Sequence, residues 1–274
     1  MNNYLNAQYT SGEINDSPMA LMECLKNDIS EYSRGVAALR LGQNRESAAL
    51  LDLIESLSDD SSWVRGWCVY ALGRIQNPDS LMHITYMLSD PDPWVRQQSA
   101  EALIYFDDDI VDMVLLNAIK RDDVVGKSWS LHVMAERGNP NFTLDVIPML
   151  EDEERPVRLS AIRTLYRLGQ SDAIAPLRMF IRDPDENMRG AAAYALGALY
   201  DRDSVSALSI ALMDPKDWVR RNAAWSLLRL RENLRLVASM VNDVDEGVRT
   251  VSYTHLRAHE TAADLVCRLL LEKK

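Results

Sequence analysis

The sequence predicts an all-α fold, a right-handed α-solenoid of about seven helical hairpins with a 31-residue period. Three observations predict it. A basic residue recurs at Arg34, Arg65, Arg96, Lys127, Arg158, Arg189 and Arg220, each interval being 31 residues. Apolar residues follow four and seven positions later, a spacing that puts both side chains on one helical face. An aspartate stands six residues ahead at Asp59, Asp90, Asp152, Asp183 and Asp214, where it can end one helix and begin the next. A stack of such units accommodates 274 residues in one elongated domain, because each unit packs only on its neighbours.

The first helix of each hairpin is an amphipathic run such as Leu50–Leu57 or Val205–Leu212, and Leu57, Leu88, Ile119, Leu150, Ile181 and Leu212 close these runs. The turn is acidic. In Asp92-Pro93-Trp94-Val95-Arg96 the aspartate can cap the free N–H groups of the second helix while the proline sits in its first turn without losing a bond. Ser61, Asp123 and Asp185 hold the same cap position. The second helix buries Ala38, Val69, Ala100, Leu131, Ile162, Ala193 and Ala224, with Leu41, Leu72, Leu103, Met134, Leu165, Leu196 and Leu227 one turn on. Trp63, Trp94 and Trp218 precede the buried valine and read as wedges between hairpins. The recurring Arg and Asp are expected to pair between repeats, a ladder that, if exposed, sets register at about 0–1 kcal/mol per rung rather than supplying stability. The fourth repeat departs from the pattern, with Gly126 for valine, Lys127 for arginine and an acidic Asp107-Asp108-Asp109 turn before it.

The D-P-x-x-W-V-R and A-x-x-A-L-G pattern, clearest over Asp90–Leu103 and Asp183–Gly197, resembles the short HEAT-like repeats named after phycobilisome bilin lyases, over about Leu21 to Arg249. The resemblance implies a HEAT-like solenoid over residues 18–250, with the second helices lining its concave side. It implies no single activity, since such repeats serve in scaffolds, in lyase subunits and beside enzyme domains.

Both ends read differently. Met1–Ser17 is polar and is expected to be disordered apart from N-terminal capping contacts. At the other end the register slips at Arg249, and Val251–Thr261 fits no repeat position. Val251–Lys274 resembles the in-frame translation of a sequencing-library adapter and is expected to be non-native, which removes His255 and His259 as a ligand pair. The solenoid is then expected to continue natively beyond Thr250.

The formal charge of -11 works against non-specific attraction to nucleic acid. No apolar run suits a bilayer span and the start lacks signal-peptide features, so the expected compartment is the cytoplasm and no membrane partner is expected. Cys24, Cys68 and Cys267 suggest neither metal nor disulfide. With no nucleotide-binding loop or catalytic motif, and with His83 and His132 in different repeats, no catalytic residue, cofactor or metal is expected. The positions two, five and nine past each basic residue lie opposite the buried face. They include Trp67, Tyr70, Arg74, Tyr105, Trp129, His132, Arg163, Arg167, Tyr194, Trp225 and Arg229. Trp, Tyr and Arg are enriched at binding hot spots, so the expected function is a scaffold that presents this face to a protein or extended peptide. Packing between adjacent second helices is the other use these aromatics could have. Two further readings stay open: a bilin-lyase-like subunit that holds a tetrapyrrole through stacking and arginine pairs, and a DNA glycosylase or nucleic-acid binder of HEAT type. Oligomeric state is not legible.

Overall fold

A computed structural model describes residues 16–106 and 109–257, with side chains as far as Tyr253. Most of the polar start, Met1–Ser17, lies outside the described residues. Its last two residues anchor the first hairpin, Ser17 by accepting a bond from the Ala20 amide at 3.4 Å and Asp16 by pairing with Arg40.

The helices sort into two compact units, Met1–Val133 and Met134–Lys274. In the first, α1 (Pro18–Asn27) pairs with α2 (Glu31–Gln43), and α3 (Leu50–Glu55) precedes α4 (Ser62–Ile75). Then come α5 (Leu81–Tyr86) with α6 (Pro93–Ile104), and α7 (Ile110–Ala118) with α8 (Val124–Arg137), whose last turn crosses into the second unit. The second unit continues with α9 (Thr143–Val146) and α10 (Arg155–Leu168), α11 (Ile174–Met179) and α12 (Glu186–Ala198). It ends with α13 (Val205–Ala211) and α14 (Asp217–Leu230), then α15 (Leu234–Ser239) and α16 (Glu246–Arg257). The described residues thus form eight hairpins. Helix α16 runs on through Val251 with Ser252 buried, and residues 258–274, the rest of the segment read as non-native, lie outside the described residues.

Every second-helix position assigned to the core is buried, from Ala38 and Leu41 to Ala224 and Leu227, none above 2 % exposed. The first helices are short because most tighten into a 3₁₀ turn, as at Ser56–Ser58, Met87–Ser89 and Phe180–Arg182, and then stop at an extended aspartate. That aspartate accepts from the amide two residues on: Asp59 from Ser61 at 2.9 Å, Asp90 from Asp92 at 2.8 Å and Asp183 from Asp185 at 2.7 Å. Asp92 and Asp185 cap α6 and α12 as expected. Ser61 stands at the N-cap of α4 but its side chain makes no capping bond.

The Arg–Asp ladder exists and is stronger than an exposed rung. Arg34 grips Asp59 through Nε and Nη2 at 2.8 and 2.9 Å, Arg65 grips Asp90 at 2.7 and 2.8 Å, Arg189 grips Asp214 at 2.7 and 3.0 Å, and Arg220 grips Asp243 at 2.8 and 2.7 Å. The third nitrogen of each donates to two carbonyls of its own turn, as Arg65 Nη1 does to Asp59 and Asp60 at 2.9 and 3.1 Å. Arg65 and Asp90 retain only 12 % and 3 % of side-chain exposure. In such burial, losing one partner strands a charge, so the value set for an exposed rung is too low. Burial would raise the Asp59 and Asp214 carboxyls, but the bonds from Arg34 and Arg189 and from nearby amides hold both below the usual range; the Arg220 bond does the same for Asp243.

The tryptophan wedges have receptors that the sequence reading missed. A side chain at Gly35 would strike Trp63, one at Gly66 would strike Trp94 and one at Gly190 would strike Trp218. Each glycine directly follows a ladder arginine and lies 28 residues before its tryptophan. The last joint of the second unit inverts the arrangement, with Arg221 at the glycine position and Gly247 opposite it.

Candidate functional site: the second-helix face

The face opposite the core is built differently in the two units. In the first, Tyr70 and Arg74 on α4 and Tyr105 just past α6 come together around a pocket of about 220 Å³, with Arg45, Gln98 and Glu101 also on its wall. Gln76, left-handed at the end of α4, reaches across to donate to the Tyr105 carbonyl at 3.0 Å, which fixes the pocket's rim. Tyr105 is 77 % exposed and Arg74 is exposed, while Tyr70 is half-buried. The wall offers two guanidiniums, one carboxylate and two phenol rings, a set suited to one aromatic or acidic side chain.

Trp67 does not open onto that pocket. Its ring lies edge-on to Trp63 at 5.4 Å, to Tyr70 at 5.5 Å and to Trp94 at 5.7 Å, and its Nε1 is buried without an acceptor among the described residues. It extends the wedge cluster, in which Trp63 and Trp94 stack at 5.8 Å. On α8, Trp129 is half-buried with its ring edge-on to exposed His132 at 5.6 Å.

In the second unit the face is a run of rings in contact. Tyr194 stacks on Trp225 at 4.3 Å, Tyr166 meets Tyr194 edge-on at 5.1 Å, and Arg229 lies 5.3 Å over Trp225 and 4.5 Å over Tyr200. Tyr166 and Tyr200 were missed. Tyr166 stands eight residues past its arginine, where three other repeats have Gly42, Gly73 and Gly197, so the register itself flags it. Arg167 pairs with Glu136, and Arg163 is exposed on α10. The face therefore combines exposed side chains, such as Arg74, Tyr105 and Arg163, with aromatics that pack between neighbouring helices, such as Tyr194 and Trp225.

A second row also escaped the sequence reading. Leu51, Met82 and Met113, spaced by 31 residues on the first helices α3, α5 and α7, are all exposed. The signal was the same register applied to the first helix. Burial pushes the Cys68 thiol far above its ordinary value, consistent with a core residue. Among the described residues no helix is long and apolar enough to cross a membrane, and no group of His, Cys, Asp and Glu is arranged to hold a metal.

Solved structures similar to this chain share little sequence with it. Yeast importin-β (Kap95p) matches with a TM-score of 0.65 at 12% identity over 93% of this chain, which spans 43% of that protein. Escherichia coli YibA matches with a TM-score of 0.55 at 17% identity over 88% of this chain and 92% of its own. The CpcE–CpcF complex of phycocyanin lyase from Nostoc sp. PCC7120 aligns over 95% of this chain and 97% of its own at 20% identity, with a TM-score of 0.42. No curated protein sequence matches significantly. The family model of HEAT repeats matches residues 18–108, 111–197 and 177–257, which take in all eight hairpins: the chain belongs to the HEAT-repeat family.

Proposed function

We propose that this protein is an interaction scaffold that binds an extended peptide segment of a partner protein on the second-helix face, with the Tyr70–Arg74–Tyr105 pocket as the anchor point. The pocket carries the reading. At about 220 Å³ it is smaller than the roughly 300–1,000 Å³ of typical small-molecule sites and suits a single inserted side chain. Its exposed tyrosine and arginine are the residue types that dominate binding energy at interfaces, and the half-buried Tyr70 backs them with a rigid floor. The mixed charge of Arg45, Arg74 and Glu101 favours a segment with an aromatic residue beside an acidic one.

The test is selection of peptides from a random display library on the full chain, followed by binding measurements on the chain carrying Tyr105→Ala and Arg74→Ala. Both positions are exposed, so helical content should not change. Selected peptides should share an aromatic–acidic motif and lose at least about tenfold in affinity for the variant, the weight of one interface hot spot. Peptides that bind the variant equally well would place recognition elsewhere.

A further inference from the structure

We propose that Arg96 and Arg121 form a carboxylate-binding site at the joint between α6 and α8, where a ligand or partner supplies the acidic group that the following hairpin supplies in the regular joints. In those joints the Nε and Nη2 edge of the arginine holds an aspartate 25 residues on, as in Arg34–Asp59, Arg65–Asp90 and Arg189–Asp214. Arg96 keeps the other half of the arrangement, since its Nη1 donates to the carbonyls of Asp90 at 2.7 Å and Pro91 at 2.9 Å. Its Nη1 is therefore held as that of Arg65 is. The residue 25 positions on is Arg121.

The consequence is two orphaned donors. Nε of Arg96 and Nε of Arg121 are both buried with no acceptor among the described residues. Arg121 turns to the preceding hairpin, where Nη2 donates to the Thr85 carbonyl at 3.2 Å and the guanidinium lies 4.7 Å over the Tyr86 ring. Neighbouring acids are engaged or turned outward: Asp90 is held by Arg65, Asp123 by Ser89, and Asp122 is exposed. A stranded buried donor is costly, and a planar two-oxygen anion accepting in parallel from Nε and Nη2 of Arg96 supplies the partner that the aspartate supplies at the regular joints. The chemistry selected is a carboxylate because the same fork takes carboxylates at the regular joints of this chain. Neither arginine lines the Tyr70–Tyr105 pocket, so this site and the proposed function fail independently.

The experiment follows the arginine Nε–H resonances of the isotope-labelled full chain during titration with acetate and, separately, with a short blocked peptide containing one aspartate or the same peptide with asparagine. Acetate and the aspartate peptide should shift Arg96 and Arg121 saturably, leaving Arg65 and Arg189 in place, and the asparagine peptide should do nothing. Tighter binding of the aspartate peptide than of acetate identifies a partner's side chain as the source, and equal binding a small organic acid. Arg121→Asp restores the carboxylate within the chain, so its Arg96 resonance should resemble that of Arg65 and acetate affinity should fall at least about tenfold. Arg96→Lys keeps the charge, removes the two-donor fork and should also abolish binding, with Arg65 reporting that the fold is intact. No saturable shift, an equal response to the asparagine peptide, or unchanged binding in Arg96→Lys would each overturn the proposal.

Discussion

Two successive joints of the first unit share one register and solve it with opposite side chains. Between α4 and α6, Arg65 grips Asp90 and Trp94 fills the space over Gly66. Between α6 and α8, Arg121 takes the aspartate position opposite Arg96, while Gln97 and Val125 stand where glycine and tryptophan would be. The apolar positions do not change, for Val69, Leu72, Ala100, Leu103 and Leu131 are buried alike. Burial of the apolar faces therefore propagates the repeat, and the ionic rung and the wedge are additions that set how firmly one hairpin holds the next.

The largest expected effect tests the rung. Asp90→Ala strands the buried Arg65 fork and should cost about 3–5 kcal/mol in chemical denaturation. Arg121→Ala at the equivalent position should cost no more than about 1 kcal/mol, the worth of its contact with Tyr86. Equal losses at the two positions would dissolve the contrast. The wedge comes next. Gly66→Ala drives a methyl into the Trp94 ring and should cost about 1–3 kcal/mol, whereas Gln97→Ala, where Val125 holds the tryptophan position, should stay within about 0.5 kcal/mol.

The wedge can also be transplanted. Gln97→Gly alone should lose about 1 kcal/mol of helix stability, and adding Val125→Trp should recover part of it, a coupling of about 0.5–1 kcal/mol in a double-mutant cycle. Strictly additive effects would show that the Gly–Trp pair works only in its own setting. The smallest effect is the pH response. Because the folded carboxyls of Asp59, Asp214 and Asp243 are held below their unfolded values, the stability they contribute is complete above the unfolded value of about 4 and is lost as pH falls through the lower folded values. Amide exchange should quicken on acidification at the α2–α4, α12–α14 and α14–α16 joints before it does at α6–α8.

Much of this was legible because a 31-residue repeat aligns the chain with itself. Leu41 and Leu196 are buried for one reason, and recognising it at one place assigns it at the others. The ladder was legible as a pairing but not in its strength, since depth cannot be read from spacing. The substitution of Arg121 at an aspartate position and the glycines that receive Trp63, Trp94 and Trp218 were equally present in the register and went unread, because a missing rung or a hole has no signal of its own in a pattern of apolar residues. On the candidate face, Tyr70, Arg74 and Tyr105 share a pocket, whereas Trp67 is tied into the wedge cluster and Tyr194 and Trp225 into a stack.

The sequence by itself determined the helices, their order, the buried face of each and the period, because these depend on spacings within a turn or a hairpin. Only the tertiary structure decided how deeply the Arg–Asp pairs are buried, how tightly each tryptophan fills its glycine hollow and which outward aromatics stack on one another. Those outcomes depend on contacts between residues 23 to 33 positions apart on different hairpins, where a few tenths of an ångström separate a bond from an orphaned donor and a filled hollow from a clash.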